Sequence, residues 1–345
     1  MTAVAAIQDS AVRAHFCSIY WLVVGADAVG ARIGALQAIL YKQLTGKAVK
    51  GDENDDHERQ GMLVGAMAEK RRALVVLDDP WMPEQVRYLN PIDGSQSAEH
   101  RLLVTTRIRD LVPKATRVEL PLMGKGEAVA LLLELANIEE AEYLKEQPGA
   151  AWPPQAAYTI AAECGLLPIT LTIAAQVVRS WGDGWETAVL PLLREKEGSG
   201  GQSRTSTAEE RVIGAGLKAL EKHEGGAAVK ELFRMFAVTQ EDFVHPIAVI
   251  ELLWRSCCAS ESEKQESSLT TRLKVRQWTQ MLVDHSLLLG SSTEGIRLHD
   301  IVLAYLRKQL SEEEITARHR DVVDGMVAVS QVRIQEIGAG FQDTG

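Results

Sequence analysis

Two adjacent aspartates follow a short apolar run at residues 74–81, LVVLDDPW. The run predicts a buried strand of a parallel sheet, which would place Asp78 and Asp79 at its carboxyl end. Open α/β sheets bind their ligands at this edge. One carboxylate there can hold Mg²⁺ beside phosphates, and the second can orient or deprotonate an attacking water. The structural alternative is a pair of aspartates that opens a turn before Pro80.

A second polar strand end follows at residues 102–107, LLVTTR. Another apolar run ends here in two hydroxyls and an arginine, and we expect it at the same sheet edge. Arg107 suits a phosphate because a guanidinium donates paired hydrogen bonds. An ordinary polar strand end has the same composition, so the argument depends on the position of this motif after the aspartates.

Two later motifs carry a proline and a histidine. In CGLLPI, Pro168 ends the preceding helix and fixes a rigid corner,. In RLHD, His299 is next to Asp300 at a predicted strand exit, where an imidazole can donate to a phosphate. The structural alternatives are a proline that only ends a helix and a histidine that is only a partly buried core residue.

The elements that position these motifs change character along the chain. The first third alternates helices with apolar strands, which predicts a parallel sheet covered on both faces. Residues 125–194 have helical periodicity. Further helical segments from residue 208 lead to a predicted hairpin, an order typical of a winged-helix domain. The strands are predicted at residues 19–25, 73–77, 102–105 and 117–120, and those of the hairpin at 286–289 and 296–299.

Charge and composition exclude several classes of protein. The net charge of −10 argues against nonspecific binding to nucleic acid or anionic lipid,. No apolar stretch approaches the roughly 20 residues of a membrane-spanning helix. The four cysteines have no metal-ligand spacing and suit a reducing cytosol,. We therefore predict a cytoplasmic protein without membrane partners.

Taken in order, LVVLDDPW, LLVTTR, LPLMGKGEAVALL, CGLLPI and RLHDIV resemble motifs of the NB-ARC family of STAND ATPases. That family includes plant disease-resistance proteins and the apoptosome ATPase, and the resemblance extends from about residue 1 to residue 308. It implies an α/β fold: an incomplete P-loop NTPase sheet, then an all-helical and a winged-helix subdomain. The implied bounds are 1–122 for the nucleotide-binding domain, 123–196 and 197–308 for these subdomains, and 309–345 for the helical start of a further region.

The resemblance also implies roles for matching residues. Asp78 would hold Mg²⁺, and Asp79 would be the catalytic acidic residue. Arg107 would sense the γ-phosphate, and Pro168 would lie against the adenine. His299, in a motif where Leu298 replaces the family's methionine, would contact the β-phosphate of ADP.

One family motif is missing: no G-x-x-x-x-G-K-[ST] occurs in the 345 residues,. Residues 25–32, GADAVGAR, have two glycines at the right spacing. However, Ala31 and Arg32 replace the lysine and the hydroxyl residue, so we interpret the segment as a strand–helix turn. We expect the chain to begin just after the missing lysine and to lack the first strand. It should then bind ADP weakly and hydrolyse no ATP at a measurable rate, although the family is a slow ATPase.

The resulting hypothesis is a regulatory switch in signal transduction that binds ADP or ATP with Mg²⁺, opens on nucleotide exchange and then oligomerises. A defence role would be analogy with the disease-resistance members alone. A nucleotide-free scaffold for protein partners is the alternative. A DNA-binding regulator would use Arg272, Lys274 and Arg276 of the winged helix, but the net negative charge of the chain argues against this role.

Overall fold

The computed structural model describes residues 2–26, 28–49, 55–92, 99–195, 206–240, 243–257 and 268–340. The chain divides into two compact units, Met1–Glu119 and Leu120–Gly345, called unit 1 and unit 2 below. Each has its own cluster of buried apolar side chains.

Unit 1 contains a three-stranded parallel sheet in the order β1-β2-β3. The register pairs Val23 with Asp78 and Asp78 with Thr105, so the carboxyl ends of the strands are level. The strands are β1 (Ser18–Val23), β2 (Ala73–Asp78) and β3 (Arg101–Thr105), and the helices are α1 (Thr2–Gln8), α2 (Ser10–His15), α3 (Ala31–Thr45), α4 (Asp56–Ala68) and α5 (Pro83–Leu89).

The core of unit 1 follows from the apolar runs. Every residue of β2 except Asp78 is buried, as a central parallel strand requires,. Fully buried leucines of the surrounding helices share this core, including Leu40, Leu63 and Leu89. The predicted parallel sheet within an α/β fold is therefore confirmed.

Unit 2 is mostly helical and contains one described antiparallel hairpin. Its core includes Phe233 and Phe236, which are both fully buried. The helices are α6 (Lys125–Leu135), α7 (Glu140–Glu146), α8 (Gln155–Glu163), α9 (Pro168–Trp181), α10 (Trp185–Arg194), α11 (Ala208–Glu221), α12 (Gly226–Met235), α13 (Ile247–Cys257), α14 (Ser268–Asp284), α15 (Asp300–Lys308) and α16 (Glu312–Gly340); the hairpin strands are β4 (Leu289–Ser291) and β5 (Gly295–Arg297).

The prediction of a strand at residues 117–120 is wrong. These residues have no regular secondary structure and belong to neither of the sheets in the described chain. Val118 and Leu120 are 79% and 66% exposed. The apolar alternation is present, but a strand also needs a ladder partner, and the described strands supply none here.

The predicted hairpin exists, but its strands are displaced from the predicted positions. Gly290 and Gly295, expected to form the turn, pair within the ladder. Their φ values of 100° and 96° suit glycine,. The turn therefore narrows to residues 292–294. The backbone of His245 adds two further hydrogen bonds to Ile296, at 2.7 and 2.8 Å.

Across the described residues, no helix has both the length and the apolar character needed to cross a bilayer.

Candidate functional site

The two aspartates of unit 1 lie where β2 ends. The Thr105 hydroxyl donates a hydrogen bond to Asp78 Oδ1. The Asp79 amide donates to the carbonyl of Thr105 at 3.0 Å and to its Oγ at 3.1 Å. Asp79 has a φ of 55°, a left-handed conformation that aspartate tolerates better than most residues,. The ends of β2 and β3 are thus joined through Thr105.

Arg107 lies against Asp79 and a tryptophan. Its Nη2 is 3.0 Å from Asp79 Oδ2, and the indole Nε1 of Trp81 donates to the same oxygen at 2.9 Å. The Arg107 guanidinium carbon is 4.5 Å from the centroid of the Trp81 ring. The side chains of Arg107 and Asp79 are 47% and 21% exposed. We call Asp79, Trp81 and Arg107 the acid–arginine–tryptophan cluster.

A buried glutamine behind this cluster connects the turns after β1 and β2. The Gln85 amide nitrogen donates to the carbonyls of Gly25 and Ala28, at 3.0 and 3.1 Å. Its oxygen accepts from the backbone amides of Trp81 and Met82, at 2.6 and 3.0 Å. At 1% exposure, Gln85 has partners for both ends of its amide. It therefore fixes the backbone that carries the tryptophan.

Sequence reasoning assigned no role to Gln85, Trp81 or the two threonines. Gln85 occupies a first-turn position of α5 at which Gln often caps a helix, which is the signal that was available. Thr106 donates to the carbonyl of Pro80 at 2.9 Å and accepts from the Ile108 amide at 3.1 Å. The two hydroxyls of the TTR motif therefore organise the strand ends.

Pro168 is the first residue of α9 in unit 2 and is exposed. The corner before it contains Leu166 in a left-handed conformation, with φ 57°. The buried hydroxyl of Thr170 donates to the carbonyl of Cys164 at 2.5 Å. These contacts form a rigid corner, but Pro168 begins α9 and does not end the preceding helix, which already ends at Glu163.

His299 caps the amino end of α15. Its Nδ1 accepts from the amide of Ile301 at 3.3 Å and also lies against the Asp300 carboxylate. The amide requires an unprotonated Nδ1 and the carboxylate a protonated one, so these two interactions compete. The side chain is 37% exposed.

The five predicted site residues are divided between the units. Asp78, Asp79 and Arg107 lie together in unit 1. Pro168 and His299 begin two different helices of unit 2, and no hydrogen bond within its described residues joins them.

The donor set in unit 1 is suited to a cation shared with a ligand. Within the described chain, Asp78 Oδ2 and Asp79 Oδ1 have no hydrogen-bond partner. No group of three His, Cys, Asp or Glu side chains forms a metal site among the described residues. Carboxylates without a complete protein cage fit Mg²⁺, which keeps several waters and is completed by phosphates.

Comparison with known proteins gives a family and two relatives. Residues 2–142 match the family model of the NB-ARC domain, a range that includes the unit 1 cluster. The chain is 28% identical over 262 residues to apoptotic protease-activating factor 1 of Danio rerio, covering 73% of this chain and 18% of that protein. It is also 28% identical over 257 residues to regulatory protein AfsR of Streptomyces coelicolor, with 73% and 22% covered. The chain thus spans about a fifth of the length of these curated relatives.

Proposed function

We propose that this chain is a nucleotide-binding signalling switch, because residues 2–142 match the NB-ARC domain family model. The observation that carries the proposal is the grouping of Asp78, Asp79 and Arg107 at the level ends of β2 and β3. Two carboxylates and a guanidinium at this edge match the needs of a phosphate chain with its cation.

Each residue has a distinct proposed role at the phosphate end of ADP or ATP. Asp78 would hold Mg²⁺, directly or through water, with the carboxylate oxygen that Thr105 leaves unbonded. The ion, when bound, neutralises phosphate charge. Asp79 would orient a water with its unbonded oxygen, and Arg107 would contact the terminal phosphate.

Two residues of unit 2 have proposed nucleotide contacts of their own. Pro168 presents an exposed ring at a rigid corner, which suits an adenine face. His299 would exchange the competing partners of its ring for the β-phosphate of ADP. ADP would hold the subdomains closed, and ATP would favour an open state that oligomerises, a population shift set by differential contacts. The names of the two relatives, an apoptotic protease-activating factor and a regulatory protein, support a signalling role.

Weak affinity is part of the proposal. The 345 residues contain no phosphate-loop lysine motif, which in such sites supplies backbone N–H donors and a lysine to the phosphates,. We therefore expect weak ADP binding and no measurable ATP hydrolysis by this chain.

Titration calorimetry with ADP, with and without Mg²⁺, tests the proposal. We expect Asp78→Asn to remove the Mg²⁺ dependence and Arg107→Gln to weaken ATP more than ADP. Glu84→Gln, at an exposed position of α5, is the matched control for loss of one carboxylate and should change neither. Binding that is insensitive to both site variants would contradict the assignment.

A nucleotide-free scaffold is the second candidate, favoured by the missing lysine motif. Failure of the wild-type chain to bind ADP or ATP would favour it. A DNA-binding role has less support. Arg272 and Arg276 are engaged by the buried carboxylate of Glu251, at 2.8 and 2.7 Å, and the net charge is −10.

A further inference from the structure

Trp81 contacts both charged members of the acid–arginine–tryptophan cluster. Its indole N–H donates to Asp79 Oδ2, and its ring face lies beneath the Arg107 guanidinium. An isolated, half-exposed ion pair restricts its side chains only weakly, because water competes for both charges. The tryptophan adds a second hydrogen bond to the carboxylate and a cation–π contact to the arginine.

Stacking and hydrogen bonding use different parts of the guanidinium. A guanidinium that stacks presents its face to the aromatic ring, whereas its N–H donors point outward in the plane of the group. Arg107 can therefore exchange the Asp79 carboxylate for a phosphate while remaining on Trp81. The ring itself has a fixed attachment, because Gln85 accepts from the Trp81 amide at 2.6 Å.

We propose that Trp81 is a positioning residue that holds Arg107 against Asp79 until a phosphate anion replaces that carboxylate. It acts through Arg107 and does not itself contact the anion. The inference rests on the proposed function only for the identity of the anion. The arrangement of Trp81, Asp79 and Arg107 is a property of the chain without ligand.

Indole N–H resonances of the ligand-free, ¹⁵N-labelled chain test this arrangement. The chain has seven tryptophans, and Trp81→Phe identifies the Trp81 signal by its disappearance. Asp79→Asn and Arg107→Gln should each shift that signal and leave the other indole signals in place.

The matched controls are Glu84→Gln and Arg109→Gln. Arg109 is 80% exposed and 3.6 Å from Glu119, so its loss removes a cation close in sequence without touching the cluster. Neither control should move the Trp81 signal. An unchanged Trp81 signal in both cluster variants, or equal shifts in the controls, would overturn the proposal.

The affinity for inorganic pyrophosphate then tests the role of the aromatic face separately from that of the indole N–H. Trp81→Phe keeps an aromatic face and should retain most of the pyrophosphate affinity. Trp81→Leu should lower that affinity several-fold. That loss should disappear in the Arg107→Gln background. Equal affinities for Trp81→Phe and Trp81→Leu, with circular dichroism confirming that both are folded, would refute a positioning role. If the wild-type chain does not bind pyrophosphate, the exchange of Asp79 for an anion at Arg107 is refuted together with the proposed function, whereas the indole shifts still decide whether Trp81 holds Arg107 against Asp79.

Discussion

Replacing Thr105 by valine should destabilise unit 1 specifically through Asp78. The substitution preserves shape and suits the end of a strand. It removes one hydroxyl that donates to Asp78 Oδ1 and accepts from the Asp79 amide. The Asp79 amide keeps its other hydrogen bond, to the carbonyl of Thr105 at 3.0 Å. Most of the expected loss of stability therefore comes from the lost donor to the Asp78 carboxylate.

A hydrogen bond to a charged group contributes about 1.5–3 kcal/mol. Asp78 is half-buried and can recover some solvation, so we expect a loss near the lower end of that range. Thr106→Val is the matched control, because its hydroxyl bonds only the backbone groups of Pro80 and Ile108. That loss should be smaller, about 0.5–1.5 kcal/mol.

Pulsed hydrogen exchange during urea unfolding measures both changes in the intact chain. Peptides that cover residues 73–79 report unit 1 alone, so the stability of unit 2 does not enter. The free energy of unfolding should fall more for Thr105→Val than for Thr106→Val. Equal losses, or a larger loss for Thr106→Val, would refute the assignment of Thr105 as the principal donor to Asp78.

Three further predictions concern stability. Replacing both Arg272 and Arg276 of α14 should lower the free energy of unfolding by about 3–5 kcal/mol, because the carboxylate of Glu251, which is 8% exposed, is left unpaired,. Glu251→Gln should lower it less, since the two arginines can rehydrate. Gly226→Ala should destabilise unit 2 by about 1–3 kcal/mol, since its Cβ would lie 2.6 Å from a backbone oxygen,, whereas Gly61→Ala, in open space on α4, should stabilise unit 1 by about 0.5–1 kcal/mol,. Burial lowers the pKa of His285 below its usual 6.5, so the unfolded state binds more protons and unit 2 should lose stability below about pH 6.5.

Urea unfolding followed by exchange in peptides from each unit checks all three predictions. A larger cost for Glu251→Gln than for the double arginine variant would contradict the first. A neutral Gly226→Ala would contradict the second. The third requires His285→Gln to flatten the pH dependence of unit 2, and an unchanged slope would count against it.

The strands of unit 1 could be predicted because short apolar runs are typical of strands in a parallel sheet. The runs at residues 73–77 and 102–105 lie within β2 and β3 as observed. The segment at 117–120, RVEL, alternates charged and apolar residues as a strand can, but strand formation depends on a partner elsewhere in the chain,. Local pattern therefore predicts a strand's residues better than its pairing.

The same distinction applies to the site, where the motif residues could be predicted and some of their contacts could not. The motif residues Asp78, Asp79 and Arg107 could be identified in the sequence, and the level ends of a parallel sheet account for their proximity. The contacts of Trp81 and Gln85 could not be predicted, since they depend on the path of two turns. Sequence offered no means to place such side chains against one another.

Hydrogen–deuterium exchange with and without Mg²⁺ and ADP tests the central claim most directly, since it reports where the nucleotide binds. At saturating ADP we predict slower exchange in peptides that span the ends of β2 and β3, residues 76–82 and 103–108. The protection should be lost in Asp78→Asn and retained in Glu84→Gln. Protection confined to other parts of the chain, or equal protection in Asp78→Asn, would contradict a phosphate site at this sheet edge.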